Sequence, residues 1–217
     1  MTKGRYVILS GGEGSGKSTV HQYLQTVFPD AVYVREPGQT TFAEGIRNLL
    51  LNPDTGTLTP REEHYLFMAA RLHLMRTQVQ PRRREGLDVI SDRGWPETFA
   101  YQWWAGQQQK NLWYYFDEIE RGEIPFPDLW LFFDVDPEIG LSRRQAATEL
   151  NRIDAQDLDF HRRVREGFQY IFERTSFPRR KIDASKPLEE VKAETVKILR
   201  AFFEEPVLTP ALLSLPT

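Results

Sequence analysis

The sequence predicts an α/β fold built on a parallel sheet, and two observations carry that reading. Apolar runs of four to six residues, the length of buried parallel strands, alternate along the chain with longer amphipathic stretches. The first run, RYVILS at 5–10, leads straight into a glycine-rich turn and then an amphipathic stretch, the order of a strand–loop–helix phosphate site.

The other strand candidates are 31–35 (AVYVR), 87–92 (LDVISD), 129–134 (LWLFFD) and, with a weaker apolar pattern, 178–183 (PRRKID). Helices are expected over 16–28, 40–51, 60–80, 96–104, 111–121, 137–147, 157–175 and 187–204. The helix at 60–80 has the clearest start. Thr59 and Glu62 have capping-box spacing, and Pro60 takes the first helical position. Tyr65, Ala69, Leu72 and Val79 recur at helical spacing and are expected to form its core stripe. Pro81 is expected to end or kink it.

The chain has 217 residues, 40% of them hydrophobic and 27% charged. That length suits one domain with its own core, expected over 1–204, followed by a proline- and leucine-rich tail at 205–217. The composition excludes collagen-like, mucin-like and disordered classes. Lys and Arg number 28 against 31 Asp and Glu, a net charge of −3, which argues against general nucleic-acid binding. With no cysteine, there are no disulfides, thiolate zinc sites, iron–sulfur clusters or cysteine nucleophiles. The N-terminal apolar run Tyr6-Val7-Ile8-Leu9 is too short for a signal-peptide core, and charges interrupt every other apolar stretch. A soluble cytoplasmic protein with no membrane span is expected.

Gly11-Gly12-Glu13-Gly14-Ser15-Gly16-Lys17-Ser18 satisfies G-x-x-x-x-G-K-[ST], with Thr19 following in the helix. Glycines let the backbone wrap so that its N–H groups converge on phosphate oxygens, and the helix N-terminus adds a favourable dipole. Lys17 is placed to neutralise the β- and γ-phosphates of a nucleotide, and the Ser18 hydroxyl to ligate Mg²⁺. Asp92, at a strand end, suits a magnesium or water contact. ATPases, GTPases and nucleotide kinases share such a loop. The Asn-Lys-x-Asp guanine signature is absent.

Four further segments narrow the class. Arg35-Glu36-Pro37-Gly38 follows the second strand, and Asp92-Arg93 ends the third, with Ala100-Tyr101-Gln102 beyond it. Asn151-Arg152-Ile153-Asp154 follows an arginine-bearing stretch, and Ile182-Asp183-Ala184-Ser185 follows the last strand. In this order, with the phosphate loop, they resemble thymidylate kinases of the bacterial type, from about residue 5 to about residue 200. The resemblance implies a P-loop kinase fold: a five-stranded parallel sheet flanked by helices, a short lid at about 141–153, and usually a homodimer. It implies transfer of the ATP γ-phosphoryl group to deoxythymidine monophosphate (dTMP), in dTTP biosynthesis, with Mg²⁺.

The resemblance also assigns roles. The arginine matching Arg93 grips the acceptor phosphate, and Arg35 and Arg47 add positive charge near it, with Pro37 in the same loop. Arg47 could equally be a solvated helix arginine. Glu13 matches an acidic loop position near the acceptor, read as an orienter of Arg93 or of a metal-bound water. Phe67 matches the ring that stacks on thymine, and Arg71 the donor to the base 4-carbonyl. Thr98 and Gln102 match positions along the base edge, and Tyr101 the ring that packs under the sugar and disfavours a 2′-hydroxyl.

Three positions depart from the family pattern. Gln39 replaces a glycine, which suggests a differently shaped acceptor loop. Glu97 stands where a small hydroxyl residue is common. The lid stretch Ser142–Glu149 puts Ala147 where the family has an arginine, which leaves Arg143, Arg144 and Arg152 as candidates for transition-state stabilisation. Three functions therefore stay open: a thymidylate kinase, a deoxynucleotide kinase of broadened or shifted base preference, and a nucleotide-binding module without catalysis. The dense aromatic run Trp103-Trp104 and Trp113–Phe116 reads as helix packing or as a remodelled cleft wall or dimer face.

Overall fold

The computed structural model describes residues 2–107, 125–145, 152–153 and 156–204. Residues 146–151 of the expected lid, residues 154–155, the expected helix at 111–121, the aromatics at 113–116 and the tail at 205–217 lie outside the described residues.

The sheet has five strands, all parallel: β1 (Tyr6–Gly11), β2 (Val32–Arg35), β3 (Val89–Asp92), β4 (Leu129–Asp134) and β5 (Arg179–Asp183), in the order β2-β3-β1-β4-β5. The register aligns Leu9 with Asp92 and Asp92 with Arg35. Three loops far apart in sequence therefore leave the sheet side by side at its carboxyl edge, where open α/β sheets bind ligands.

Side chains alternate across the sheet, so each strand feeds two cores. Tyr6 and Ile8 of β1 join Trp130 and Phe132 of β4 on one face, with Phe99 and Phe168. Val7 and Leu9 join Leu131 and Phe133 on the other, with Val20, Leu24 and Leu199. The covering helices are α1 (Lys17–Val27), α2 (Thr41–Leu51), α3 (Pro60–Leu74), α4 (Gln80–Arg84), α5 (Trp95–Thr98), α6 (Pro137–Gln145), α7 (Leu158–Arg174) and α8 (Leu188–Glu204).

Two expectations about the 60–80 region are corrected. The capping box forms, with Glu62 N–H on Thr59 Oγ1 at 3.2 Å and Thr59 N–H on Glu62 at 2.7 Å. The buried stripe, however, is Glu63, His64, Met68, Arg71 and Leu74, whereas Tyr65 and Ala69 are exposed and Leu72 is half-buried. Apolar periodicity missed this face because three of its residues are polar, and each is buried with a hydrogen-bonding partner. Pro81 does not end the helix. A π turn at Met75–Val79 widens the coil, with Gln80 N–H bonded to Met75 O, and Pro81 falls in the first turn of α4.

A second π segment, Phe99–Ala105, extends α5. Its Trp103 is buried and donates Nε1–H to His64 Nδ1 at 3.0 Å, and its Trp104 ring lies 4.3 Å from that of Tyr170. Both tryptophans pack helix against helix.

Candidate active site

The loop after β1 has the backbone a phosphate cradle needs. Gly14 and Gly16 sit at φ 67° and 77°, in the left-handed region that glycine reaches without strain. A Cβ on Gly14 would also lie 1.9 Å from the Gly140 carbonyl oxygen of α6. Lys17 is buried and lies across the loop, with Nζ donating to Gly12 O at 3.3 Å. Burial pushes the Lys17 ammonium below its ordinary value, and neighbouring Arg93 adds to this against Glu13, Asp92 and Glu97. Ser18 and Thr19 are exposed on the first turn of α1.

Arg93 ends β3 in a left-handed conformation (φ 76°), and its backbone N–H bonds Leu9 O at 2.9 Å. That geometry turns the guanidinium back over the phosphate loop, where it meets Glu13 Oε1 at 3.0 Å. Tyr101 donates its hydroxyl to the same oxygen at 3.0 Å. Burial alone would push the Glu13 carboxyl up, but Arg93 and Lys17 outweigh it and hold the group well below the usual carboxylate range. Glu13 is therefore ionised and fixes Arg93.

Glu97 forms the second link between these loops. It is buried and accepts from Gly94 N–H at 2.9 Å and Gly11 N–H at 3.3 Å. Burial raises its carboxyl to about 7, with Asp92 adding and Arg93, Lys17 and the Gly94 N–H opposing. The substituted Gln39 takes a glycine-like φ of 70° and donates its N–H to Glu44, so the loop keeps a left-handed turn at this point despite the side chain.

An open cleft runs from these groups between α2, α3 and α5. Every residue expected at the acceptor site lines it except Arg35. Arg35 pairs instead with Glu44 at 2.8 Å near the surface. Arg47 donates to Pro37 O at 3.3 Å, and burial together with Arg35 and Arg93 lowers it to about 10. It is half-buried and lines the cleft.

Arg71 does more than line the wall. Its Nε meets buried Glu36 at 2.6 Å, and its NH2 donates to Gly94 O and Thr98 Oγ1, both at 2.9 Å. Tyr6 completes the Glu36 site with a 2.9 Å bond from its hydroxyl. The sequence reading missed Glu36 as a partner, although its place beside Arg35 at a strand end was the available signal.

A model of the thymidylate kinase family matches residues 9–195. The chain belongs to the thymidylate kinase family. It is 34% identical to the thymidylate kinase of Clostridium novyi over 92% of this chain and 100% of that protein. It is 35% identical to that of Halalkalibacterium halodurans, over 92% and 98%. For that of Geobacillus sp. (strain WCH70) the identity is 37%, over 89% and 95%.

For a member of this family the lid arginines are the point of difference. Arg143 is tied to the loop after β5, donating to Ala184 O at 2.7 Å and Ser185 O at 3.0 Å. Arg144 follows it on α6. Arg152 does not reach the phosphate loop. Its guanidinium holds Leu50 O at 3.0 and 3.1 Å and Glu63 at 2.5 Å, on the acceptor side of the cleft. These partners place its side chain at the acceptor wall.

Among the described residues no cluster of three or more His, Asp or Glu side chains is arranged to hold a metal. A divalent ion here would lean on phosphate oxygens. Two protein groups fit such an ion: the exposed Ser18 hydroxyl, and Asp92, whose buried Oδ1 has no hydrogen-bond partner. Among the described residues no helix is long and apolar enough to cross a membrane.

Proposed function

We propose that this chain transfers the γ-phosphoryl group of ATP to the 5′-phosphate of dTMP, giving dTDP and ADP on the route to dTTP. The observation that carries this is the Glu13–Arg93 ion pair. It joins the phosphate loop to a cleft with a flat ring (Phe67), a buried amide (Gln102) and a sugar-side ring (Tyr101).

Two anionic phosphates repel each other, so the reaction needs cations on both and an in-line alignment. Lys17 serves the donor phosphates and the backbone N–H groups of residues 11–18 cradle them. Arg93 and Arg47 serve the acceptor phosphate. Glu13 holds Arg93 in place, and Glu97 holds the two loops at a fixed separation. Ser18 and Asp92 would hold Mg²⁺, which when bound offsets charge on the donor phosphates. Arg143 and Arg144 remain the lid-side cations of a single catalytic domain at 1–204, with its lid at about 141–153.

A homodimer fits the surface. Phe42 and Leu49 of α2 and Tyr65 of α3 are all exposed on two helices packed together. Glu97 gives no support to a shifted base preference, because its carboxylate engages backbone N–H groups of the phosphate and Arg93 loops.

The test is Mg·ATP-dependent ADP formation with a panel of nucleoside monophosphates. The strongest response is expected with dTMP, and Lys17→Ala should lower kcat by roughly 10²–10³-fold or more. A rate unaffected by Lys17→Ala, or ATP binding with no transfer to any monophosphate, overturns the proposal.

A further inference from the structure

We propose that Glu63, anchored by Arg152, sets the base preference of the acceptor cleft by fixing which end of the Gln102 amide faces the base. The inference rests on the reading that a pyrimidine monophosphate occupies the cleft.

A glutamine amide has a donor end and an acceptor end of nearly equal shape, so a neighbour must decide which way it points. Gln102 is buried on the cleft wall, and its Nε2 donates to Glu63 Oε2 at 2.9 Å. An ionised carboxylate only accepts, so the amide nitrogen is held toward Glu63 and the amide oxygen is turned the other way. Among the described residues no group donates to that oxygen.

Glu63 is held in turn. It is 8% exposed, and its other oxygen takes the 2.5 Å bond from Arg152. Arg152 is braced on the Leu50 carbonyl by two further bonds. Both Glu63 oxygens therefore accept, Oε1 from Arg152 and Oε2 from Gln102. Leu50 and Ile153 line the same cleft, so the whole relay is built into its wall.

The consequence is selective. Thymine and uracil carry an N–H at ring position 3, whereas cytosine carries a lone pair there. A fixed amide oxygen bonds the first two and repels the third. A neutral amide at position 63 could donate as well as accept, and would let Gln102 turn over to suit cytosine.

The experiment compares kcat/KM for dTMP, dUMP and dCMP in the unmodified protein, in E63Q and in E63D. In E63Q the preference for dTMP over dCMP should fall by about tenfold or more, while the ratio of dTMP to dUMP is unchanged. E63D, still acceptor-only, should keep the preference at a lower kcat/KM. An equal loss toward all three substrates, with the preference intact, overturns the proposal and leaves Glu63 a packing support.

If E63Q does not fold, the unmodified protein still decides. The 5-methyl analogue of dCMP has nearly the shape of dTMP and carries a lone pair in place of the N–H, and should bind about tenfold or more weakly than dTMP. Equal binding overturns the proposal. Failure to phosphorylate any monophosphate defeats the kinase reading separately, since this binding comparison needs no turnover.

Discussion

The Glu97 carboxyl makes the stability of this protein depend on pH in an unusual direction. Burial raises it to about 7 from an ordinary 4.5, so the folded chain holds a proton that the unfolded chain has lost. Its stabilising contribution is complete below the unfolded value and drains away as pH rises through the folded one. Integrating the linkage between pH 5 and pH 8 with these two values gives about 2–3 kcal/mol. Glu97→Gln keeps a carbonyl acceptor for the Gly11 and Gly94 N–H groups and removes the titration. Urea unfolding of both proteins across this range should show the variant gaining on the parent by about 2–3 kcal/mol at the alkaline end. Subtracting the parent cancels the titrating groups that do not interact with Glu97. Parallel curves would refute the burial argument and place an ionised Glu97 at neutral pH, stabilised by Arg93 and Lys17.

Arg71→Leu should destabilise the fold by about 3–5 kcal/mol in the same assay, because it strands Glu36 as a buried, unpaired charge. Adding Glu36→Gln should restore part of that loss, and a single-variant cost below about 1 kcal/mol would show the pair to be dispensable. Tyr101→Ala should raise turnover of ribothymidine monophosphate relative to dTMP by roughly tenfold, since the ring at 5% exposure closes the sugar side of the cleft. An unchanged ratio would remove Tyr101 from sugar selection.

The central strands β1, β3 and β4 were legible because they are buried along nearly their whole length and bounded by turn residues. Observed ends differ from the expected ones by at most two residues, as in β3, which begins at Val89 rather than at residue 87. The phosphate loop was legible for a similar reason, since glycine spacing reports backbone conformation directly. The face of α3 was not. Glu63, His64 and Arg71 are buried because partners from the loop after β2, the π segment after α5 and the end of the expected lid reach them, and those partners are 35 to 89 residues distant in sequence. No local period encodes such pairings. The same limit explains Arg152. Its chain neighbours made it a lid arginine, while its actual partners are Leu50 and Glu63. Gln39 shows a different kind of constraint. A non-glycine residue can hold a left-handed turn when the surrounding hydrogen bonds, here from its N–H to Glu44, require it.

The alignment of Leu9, Asp92 and Arg35 across three neighbouring strands also governs how ligands act on folding. Residues 11–18, 35–37 and 93–102 meet only when β1, β2 and β3 are paired, so no fragment carrying one of these loops presents half a site. A nucleotide therefore binds the completed sheet and has no partial version of it to bind in the unfolded chain. At one hundred times its dissociation constant such a ligand adds about 2.7 kcal/mol to the free energy of global unfolding. That increment reaches every element the sheet supports, including helices that never touch the ligand, and makes the melting temperature of the whole chain a gauge of occupancy at its carboxyl edge.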